Sequence, residues 1–290
     1  MSEGPVVSVV VPAFNRASVI TNAIQSVLGQ SFRELEVIVV DDGSRDTTAE
    51  TVLSIAQSDP RVRLNRHHSN RGAQAARNTG IRAAVGEWIA FLDSDDTWLT
   101  SSLELRMAAA RLSDVHVVHT PGFVLRFVGG ERETFDVPEL CGNVYTQLLR
   151  APGPLFPALL VRAKALAAIG GLDETIVAYQ EWDTAIRLAK RFEFAFVPDP
   201  TFVYDCRGMD TISKNLLNGA KGYEQILRKH LRDIALHLGP RAVSEHYSRL
   251  ASEYRLAQDE RASRRCKLIS YLWWPNPRVP LRKLRGAVTG

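Results

Sequence analysis

Residues 86–98 read Gly86-Glu87-Trp88-Ile89-Ala90-Phe91-Leu92-Asp93-Ser94-Asp95-Asp96-Thr97-Trp98, an apolar run that stops abruptly in three carboxylates. The run is short, β-favouring and preceded by Gly86, so it reads as a buried strand of a parallel sheet. In an open α/β sheet, ligands bind beyond the carboxyl ends of the strands, where Asp93, Asp95 and Asp96 emerge. Carboxylates this crowded repel one another unless protons or a cation offset the charge. An all-oxygen ligand set favours a hard divalent ion, Mg²⁺ or Mn²⁺, which keeps sites for water or substrate phosphates. A solvated Asp-rich turn capping the next helix is the other reading, and this stretch alone admits both.

Upstream, the chain alternates strand and helix. Val6–Val11 reads as a strand broken by Pro12, and Ser18 as the N-cap of a helix with Val19, Ile20, Ala23, Ile24, Val27 and Leu28 on one face. Glu36–Val40 is a second buried strand, ending in Asp41-Asp42-Gly43-Ser44. A second helix starts at Ser44 or Asp46, with Val52, Leu53, Ile55 and Ala56 inward. Val62–Asn65 follows as a strand, then an Ala-rich helix to Ala84. This order is the signature of a parallel sheet with crossover helices.

Downstream, the pattern predicts a helix over Ser101–Leu112 and strands at Val115–His119 and Phe123–Val128. Gly129-Gly130 turns into a strand at Thr134–Val137. A Pro-rich loop precedes a strand at Ala158–Val161 and a helix at Ala163–Ile169 closed by Gly170-Gly171. A helix near Glu181–Arg191 and a last strand at Phe194–Val197 complete this part. From about Asn215 the pattern is helical, with apolar Leu216, Leu217, Ile226, Leu227, Leu231, Ile234 and Leu238.

The 290 residues suit one large domain with an appendage. Three scattered cysteines (Cys141, Cys206, Cys266) suggest reduced thiols in a cytosolic protein. No secretory leader and no apolar run long enough to span a bilayer are read in the sequence. Charge divides unevenly: residues 214–290 hold 16 Lys/Arg against 6 Asp/Glu, whereas residues 1–213 hold 20 against 26. An acidic body (1–213) and a basic helical extension (214–290) are the expected domains.

Four separated pieces carry a family resemblance. VSVVVPAFNR (7–16), VIVVDDGSRDTT (37–48), NRGAQAARNTGIRAAVGEWIAFLDSDD (70–96), and GGLDE (170–174) followed by QEWDTAIRLAKR (180–191) stand in the order and spacing of family 2 glycosyltransferases. The resemblance covers roughly residues 6–213. It implies a GT-A fold, a Rossmann-like and mostly parallel sheet with helices on both faces, and an inverting transfer from a nucleotide-sugar donor.

The roles that follow are those the resemblance implies. Pro12, Ala13, Phe14 and Asn15 border the nucleotide base, with Phe14 free to stack on a ring; a core-packing Phe is the alternative. Asp42 accepts a hydrogen bond from the base, which suits uracil or thymine, whose ring N–H is a donor, as is that of guanine; otherwise Asp41 and Asp42 cap the next helix. Asn70 and Gly72 form the turn over the nucleotide, and Arg77 lies near the donor phosphates or offsets the acidic cluster. Asp95 is the direct Mn²⁺ or Mg²⁺ ligand, Asp93 lies near the ribose or a metal-bound water, Ser94 joins the donor site, and Asp96 is structural. Glu181 takes the general-base position of an E-D-x-D-like run, with Asp183 the rival; both could also be first-turn acids favoured by the helix dipole.

One departure stands out. The family's Y-R-x-H-like segment is here Tyr204-Asp205-Cys206-Arg207-Gly208-Met209-Asp210, without the histidine that can complete a metal shell; Asp210 or water would replace it. His67 and His68 read as surface residues. The tail 264–290 mixes Tyr271, Trp273, Trp274 and Leu281 with Arg264, Arg265, Lys267, Arg278, Arg282, Lys283 and Arg285, which suits an anionic membrane surface or a solvated helix. The expectation is a cytoplasmic enzyme, peripheral at the inner face of the membrane, that transfers a sugar, UDP-linked in the donor, to a glycan or lipid-linked acceptor in the synthesis of a cell-envelope polysaccharide, lipopolysaccharide or other glycoconjugate, with no nucleic-acid partner. The rivals are a non-catalytic nucleotide-sugar-binding subunit and a nucleotidyltransferase; the latter would show a Gly-rich basic loop where Pro12–Arg16 stands.

Overall fold

The computed structural model describes residues 4–125, 132–135, 137–206 and 215–275. The chain divides into two compact units: residues 1–144, 153–174 and 184–209 in the first, and 145–152, 175–183 and 210–290 in the second.

The first unit is an α/β layer structure. Its elements are β1 (Val7–Ala13), α1 (Ile20–Leu28), β2 (Leu35–Asp41), α2 (Thr48–Ser58), β3 (Val62–Arg66), α3 (Ala73–Ala83), β4 (Trp88–Phe91), β5 (Thr97–Trp98), α4 (Ser102–Ser113), β6 (Val117–His119), β7 (Gly122–Leu125) and β8 (Glu133–Phe135). Among the described residues the main sheet also takes β9 (Leu160–Arg162) and β10 (Phe194–Phe196), in the order β10-β6-β9-β4-β1-β2-β3. Strands β4, β1, β2 and β3 run parallel, and β9 lies antiparallel between β4 and β6. Every residue of β1, β2 and β4 is buried, as strands covered on both faces require. This is the mostly parallel sheet the pattern predicts.

Several local expectations are corrected. Strand β1 runs through Pro12: even-numbered residues of β1 face β4, as Val10 O accepts from the Leu92 N–H. Pairing with β4 ends at Val10, so the missing N–H of Pro12 falls beyond the last ladder bond. Helix α1 starts at Ile20 with Val19 in the capping position and no side-chain cap, so Ser18 does not cap it. Its face Ile20, Ala23, Ile24, Val27, Leu28 is buried as the period requires. In α2, Asp46 accepts from the backbone N–H and hydroxyl of Thr48, while Leu53 is 50% exposed rather than inward.

The segment read as a strand from Ala158 begins as a 3-10 turn, Phe156–Ala158, because Pro157 has no N–H to give a ladder. Phe194–Val197 is not the last strand. β11 (Phe202–Asp205) follows it and builds a second sheet, β5-β11-β7-β8. Strands β7 and β8 pair antiparallel as the hairpin reading requires, but Val128, Gly129, Gly130 and Asp136 lie outside the described residues.

The second unit is helical. It holds α5 (Tyr145–Arg150), the first turn of α7 (Gln180–Ala189), α8 (Leu216–Leu256) and α9 (Glu260–Trp273); α6 (Ala163–Ala168) belongs to the first unit. Asn215 caps α8 by accepting from Asn218, and Asp259 caps α9 by accepting from Ala262. Within α8 the chain breaks at Gly239 (φ 81°), ahead of Pro240, which cannot continue the hydrogen-bond ladder. Ile226, Leu227 and Ile234 are buried as expected, whereas Leu216 is exposed. Glu224 on α8 is the polar link to α9: it receives Arg265 at 2.8 Å, and also Arg228 and the Tyr254 hydroxyl. At the end of α9, Leu272, Trp273 and Trp274 are exposed. The tail residues Arg278, Leu281, Arg282, Lys283 and Arg285 lie outside the described residues. Among the described residues no helix is long and apolar enough to cross a membrane.

Candidate functional site

At the carboxyl ends of β1, β2 and β3 a cavity of about 450 Å³ opens, lined by Phe14, Arg45, Arg66, His67, His68 and Asn70 among others. The loop after β1 is held against the turn after β2. Asn15 adopts the left-handed region (φ 53°), its side-chain oxygen accepts from the Arg45 N–H at 2.9 Å, and its own N–H donates to the Ser44 hydroxyl. Asn tolerates that conformation because its short amide bonds locally. Phe14 is 39% exposed and lines the cavity rather than packing in the core.

The Asp41-Asp42-Gly43-Ser44 turn uses both carboxylates internally. Asp41 is fully buried, with the Arg66 guanidinium at 3.0 Å and the Ser44 N–H on its other oxygen. Asp42 accepts from the N–H groups of Arg71 (2.9 Å) and Gly72 (2.7 Å) and from His67 at 2.7 Å. Gly43 is required: its φ is +76° and a Cβ would stand 2.7 Å from the Ser69 carbonyl carbon. Asp42 therefore pins the turn through Asn70 and Gly72 at the start of α3. His67, read from the sequence as a surface residue, has a side chain only 9% exposed and bridges Asp42 to the Thr79 hydroxyl.

Helix α3 brings Arg77 and Asn78 inward. Arg77 donates to Asp93 and to Gln74 Oε1, and its guanidinium lies 4.2 Å from the centre of the Phe156 ring. Asn78 ties α3 to the Gly-Gly-Leu-Asp-Glu loop: its amide donates to Leu172 O and Glu174, and its oxygen accepts from Leu172 N. These bonds give the four separated motifs a common physical purpose, since each helps position the loop of another.

The acidic cluster follows β4. Asp93 and Asp95 are each about a third exposed, Asp96 is buried, and Ser94 is buried beside them. The backbone N–H of Asp205, on β11, donates to Asp96 at 3.0 Å, so a fourth carboxylate that sequence reasoning passed over joins the cluster. Burial, then Asp93, raises the pKa values of both Asp95 and Asp96, and Arg16 only partly opposes this at Asp95. Arg16 stands 3.9 Å from Asp95, and the second oxygen of Asp96 is buried without a hydrogen-bond partner. Among the described residues no three His, Cys, Asp or Glu side chains converge into a complete protein cage for a metal. The donor set suits a hard divalent ion held by one carboxylate and completed by water and phosphate oxygens, not a site built from protein ligands alone. Asp210, the substitute considered for the absent histidine, lies outside the described residues.

In the helical unit, Glu181 and Asp183 part company as their spacing requires. Asp183 is 1% exposed and sits between Lys229 Nζ (2.9 Å) and His230 Nε2 (2.9 Å). Glu181 is partly exposed on the same first turn of α7.

The cavity and the acidic cluster lie where open α/β sheets bind their ligands, beyond the carboxyl ends of the strands. Residues 8–130 match the model described as glycosyl transferase family 2. The E. coli UDP-Glc:alpha-D-GlcNAc-diphosphoundecaprenol beta-1,3-glucosyltransferase WfgD is 34% identical over 137 residues, 45% of this chain and 53% of that protein. The S. aureus TarS 1–349 structure in complex with UDP-GlcNAc superposes with a TM-score of 0.73 at 18% identity, covering 97% of this chain and 83% of that one. The Pyrobaculum calidifontis mannosyltransferase PcManGT, in complex with GDP-Man and Mn²⁺, gives 0.62 at 20% identity, covering 94% and 86%. These likenesses show the GT-A fold. The chain spans between about a fifth and about half of the length of the curated relatives it matches.

Proposed function

We propose that this chain is an inverting glycosyltransferase that moves a sugar from a nucleotide donor, UDP-linked, to an acceptor hydroxyl. The observation that carries this reading is the placement of the cavity, beyond the carboxyl ends of β1, β2 and β3, and of the Arg77–Asp93 pair and the Asp95 carboxylate, beyond the carboxyl end of β4, at the same end of one mostly parallel sheet. UDP is favoured because the E. coli relative is named for UDP-Glc and the S. aureus structure holds UDP-GlcNAc. In this reading residues 1–213 form the catalytic segment and 214–290 its helical, basic extension.

Phe14 covers the base, with Pro12, Ala13 and Asn15 setting its loop; Asp42, Asn70 and Gly72 hold the turn above it. Arg77 orients Asp93 toward the ribose or a bound water, with Ser94 beside it. Asp95 would hold Mn²⁺ or Mg²⁺, which when bound supplies positive charge to the leaving diphosphate. The acceptor oxygen bonds to the anomeric carbon as the bond to the diphosphate oxygen breaks with its electron pair. The acceptor's proton passes to the Glu181 carboxylate acting as general base. Asp183, buried between Lys229 and His230, is poorly placed to accept it.

The acceptor is a glycan or a lipid-linked sugar, as the E. coli relative's name indicates for that protein. Exposed Leu272, Trp273 and Trp274 beside Arg264 and Lys267 suit attachment to an anionic membrane face, as interfacial aromatics next to basic residues do. Flotation with anionic liposomes, with and without residues 264–290, tests that attachment. Incubation with a panel of UDP-sugars and Mn²⁺, followed by assay of released UDP, tests the activity. Turnover lost in Glu181→Gln with UDP binding retained supports it; binding without turnover in the wild type overturns it in favour of a sensing subunit.

A further inference from the structure

The first turn of α7 is held by features that packing alone does not call for. Tyr179, one residue before α7, has φ +57°, a conformation unfavourable for an aromatic residue that persists only where the surroundings impose it. Trp182 is 1% exposed; its indole N–H donates to Leu148 O at 2.7 Å and its ring packs on Tyr179, Tyr223 and His246. His246 is itself locked: Nε2 donates to Leu149 O, so Nδ1 is left to accept from the Tyr223 hydroxyl at 2.8 Å. Helix α8 approaches so closely at Gly222 that a Cβ there would stand 2.5 Å from Ala178 O.

The decisive feature is Asp183, 1% exposed between Lys229 and His230 of α8. A buried ion pair adds little stability over apolar side chains of the same size, because desolvation consumes most of the attraction. What it adds is geometry: two directional contacts fix the rotation of the α7 first turn about its axis. The residues at 179, 182 and 183 are all held, and the residue they surround is Glu181.

We propose that Asp183, with Lys229 and His230, is a positioning residue that aims the Glu181 carboxylate, so that α8 takes part in catalysis through α7. The inference rests on the reading of Glu181 as the base. A base displaced by about 1 Å loses rate steeply, while a distant donor site keeps its affinity.

The test is steady-state hydrolysis of the best-cleaved member of a UDP-sugar panel with Mn²⁺, comparing wild type, Glu181→Gln, His230→Ala, His230→Gln and Lys229→Met. The expected result is a kcat at least about tenfold lower in His230→Ala with the donor KM within about twofold, and recovery in His230→Gln, whose amide can still donate to Asp183. Lys229→Met, at a partly exposed position, gives a folded second variant with a smaller loss of the same kind. Unchanged kcat in folded His230→Ala and Lys229→Met, or a rise in KM without loss of kcat, overturns the positioning role. Full activity in Glu181→Gln overturns instead the assignment of the base on which it rests.

Discussion

Arg77 and Phe156 are stacked, guanidinium on ring at 4.2 Å, while the same guanidinium holds Asp93. The ring is itself fixed from behind. Pro157 O accepts both the Trp98 indole N–H (3.0 Å) and the guanidinium of Arg106, a fully buried arginine whose pKa burial lowers to about 9. The Pro-rich loop and the acidic cluster are thereby one mechanical assembly.

Arg77→Lys breaks that assembly, because an ammonium cannot stack flat on Phe156 while bonding Gln74 and Asp93 in a fork. UDP affinity in the presence of Mn²⁺ is expected to fall about tenfold, or about 1.4 kcal/mol. Isothermal titration of wild type and variant checks this, and equal affinities would remove Arg77 from the donor site.

Asp42→Ala leaves the N–H groups of Arg71 and Gly72 and the His67 ring without their common acceptor. Stranding buried donors costs about 1–3 kcal/mol. Urea unfolding should show that loss, and the turn at the start of α3 should exchange its amide hydrogens faster. An unchanged midpoint would mean that solvent substitutes for the carboxylate.

Asn78→Ala removes three hydrogen bonds to the loop at Leu172 and Glu174. A stability loss of about 1–3 kcal/mol is expected, with increased proteolytic cleavage near Gly170-Gly171. Wild-type resistance at that loop would show that the Arg71–Glu174 ion pair at 3.6 Å suffices to hold it.

The pH dependence has a defined sign at His119. Burial lowers its pKa to about 4, although its Nε2 donates to Leu140 O. The unfolded chain takes up a proton near pH 6.5 that the folded chain refuses until about 4. Its contribution is therefore fully present above about pH 6.5 and is lost as pH falls toward about 4, by about 1.4 kcal/mol per unit. Urea midpoints at about pH 7 and about pH 5 should differ less in His119→Gln than in wild type. Equal slopes would place the titration elsewhere.

The N-terminal half was readable because its signals are local. Apolar runs ending in Asp-Asp-Gly-Ser or Asp-Ser-Asp-Asp mark strand ends within a few residues, and α1 carries its period in full. Strands β5 and β11 were not readable, being two and four residues long and stabilised by partners far along the chain. Asp205 reaches Asp96 across 109 positions, a pairing that no local pattern encodes. The burial of His67 has no local signal: only the fold brings Asp42 and Thr79 to opposite sides of its ring. Glu181 and Asp183 were separable by helical spacing, yet the Lys229–His230 clamp that distinguishes them lies on another helix.

The most direct test is calorimetric titration of UDP into wild type and Asp95→Ala, each with and without Mn²⁺. If Asp95 holds the ion that grips the diphosphate, Mn²⁺ tightens UDP binding in the wild type and has no effect in the variant, whose ion-free affinity is unchanged. An equal Mn²⁺-dependent gain in both proteins would contradict the account.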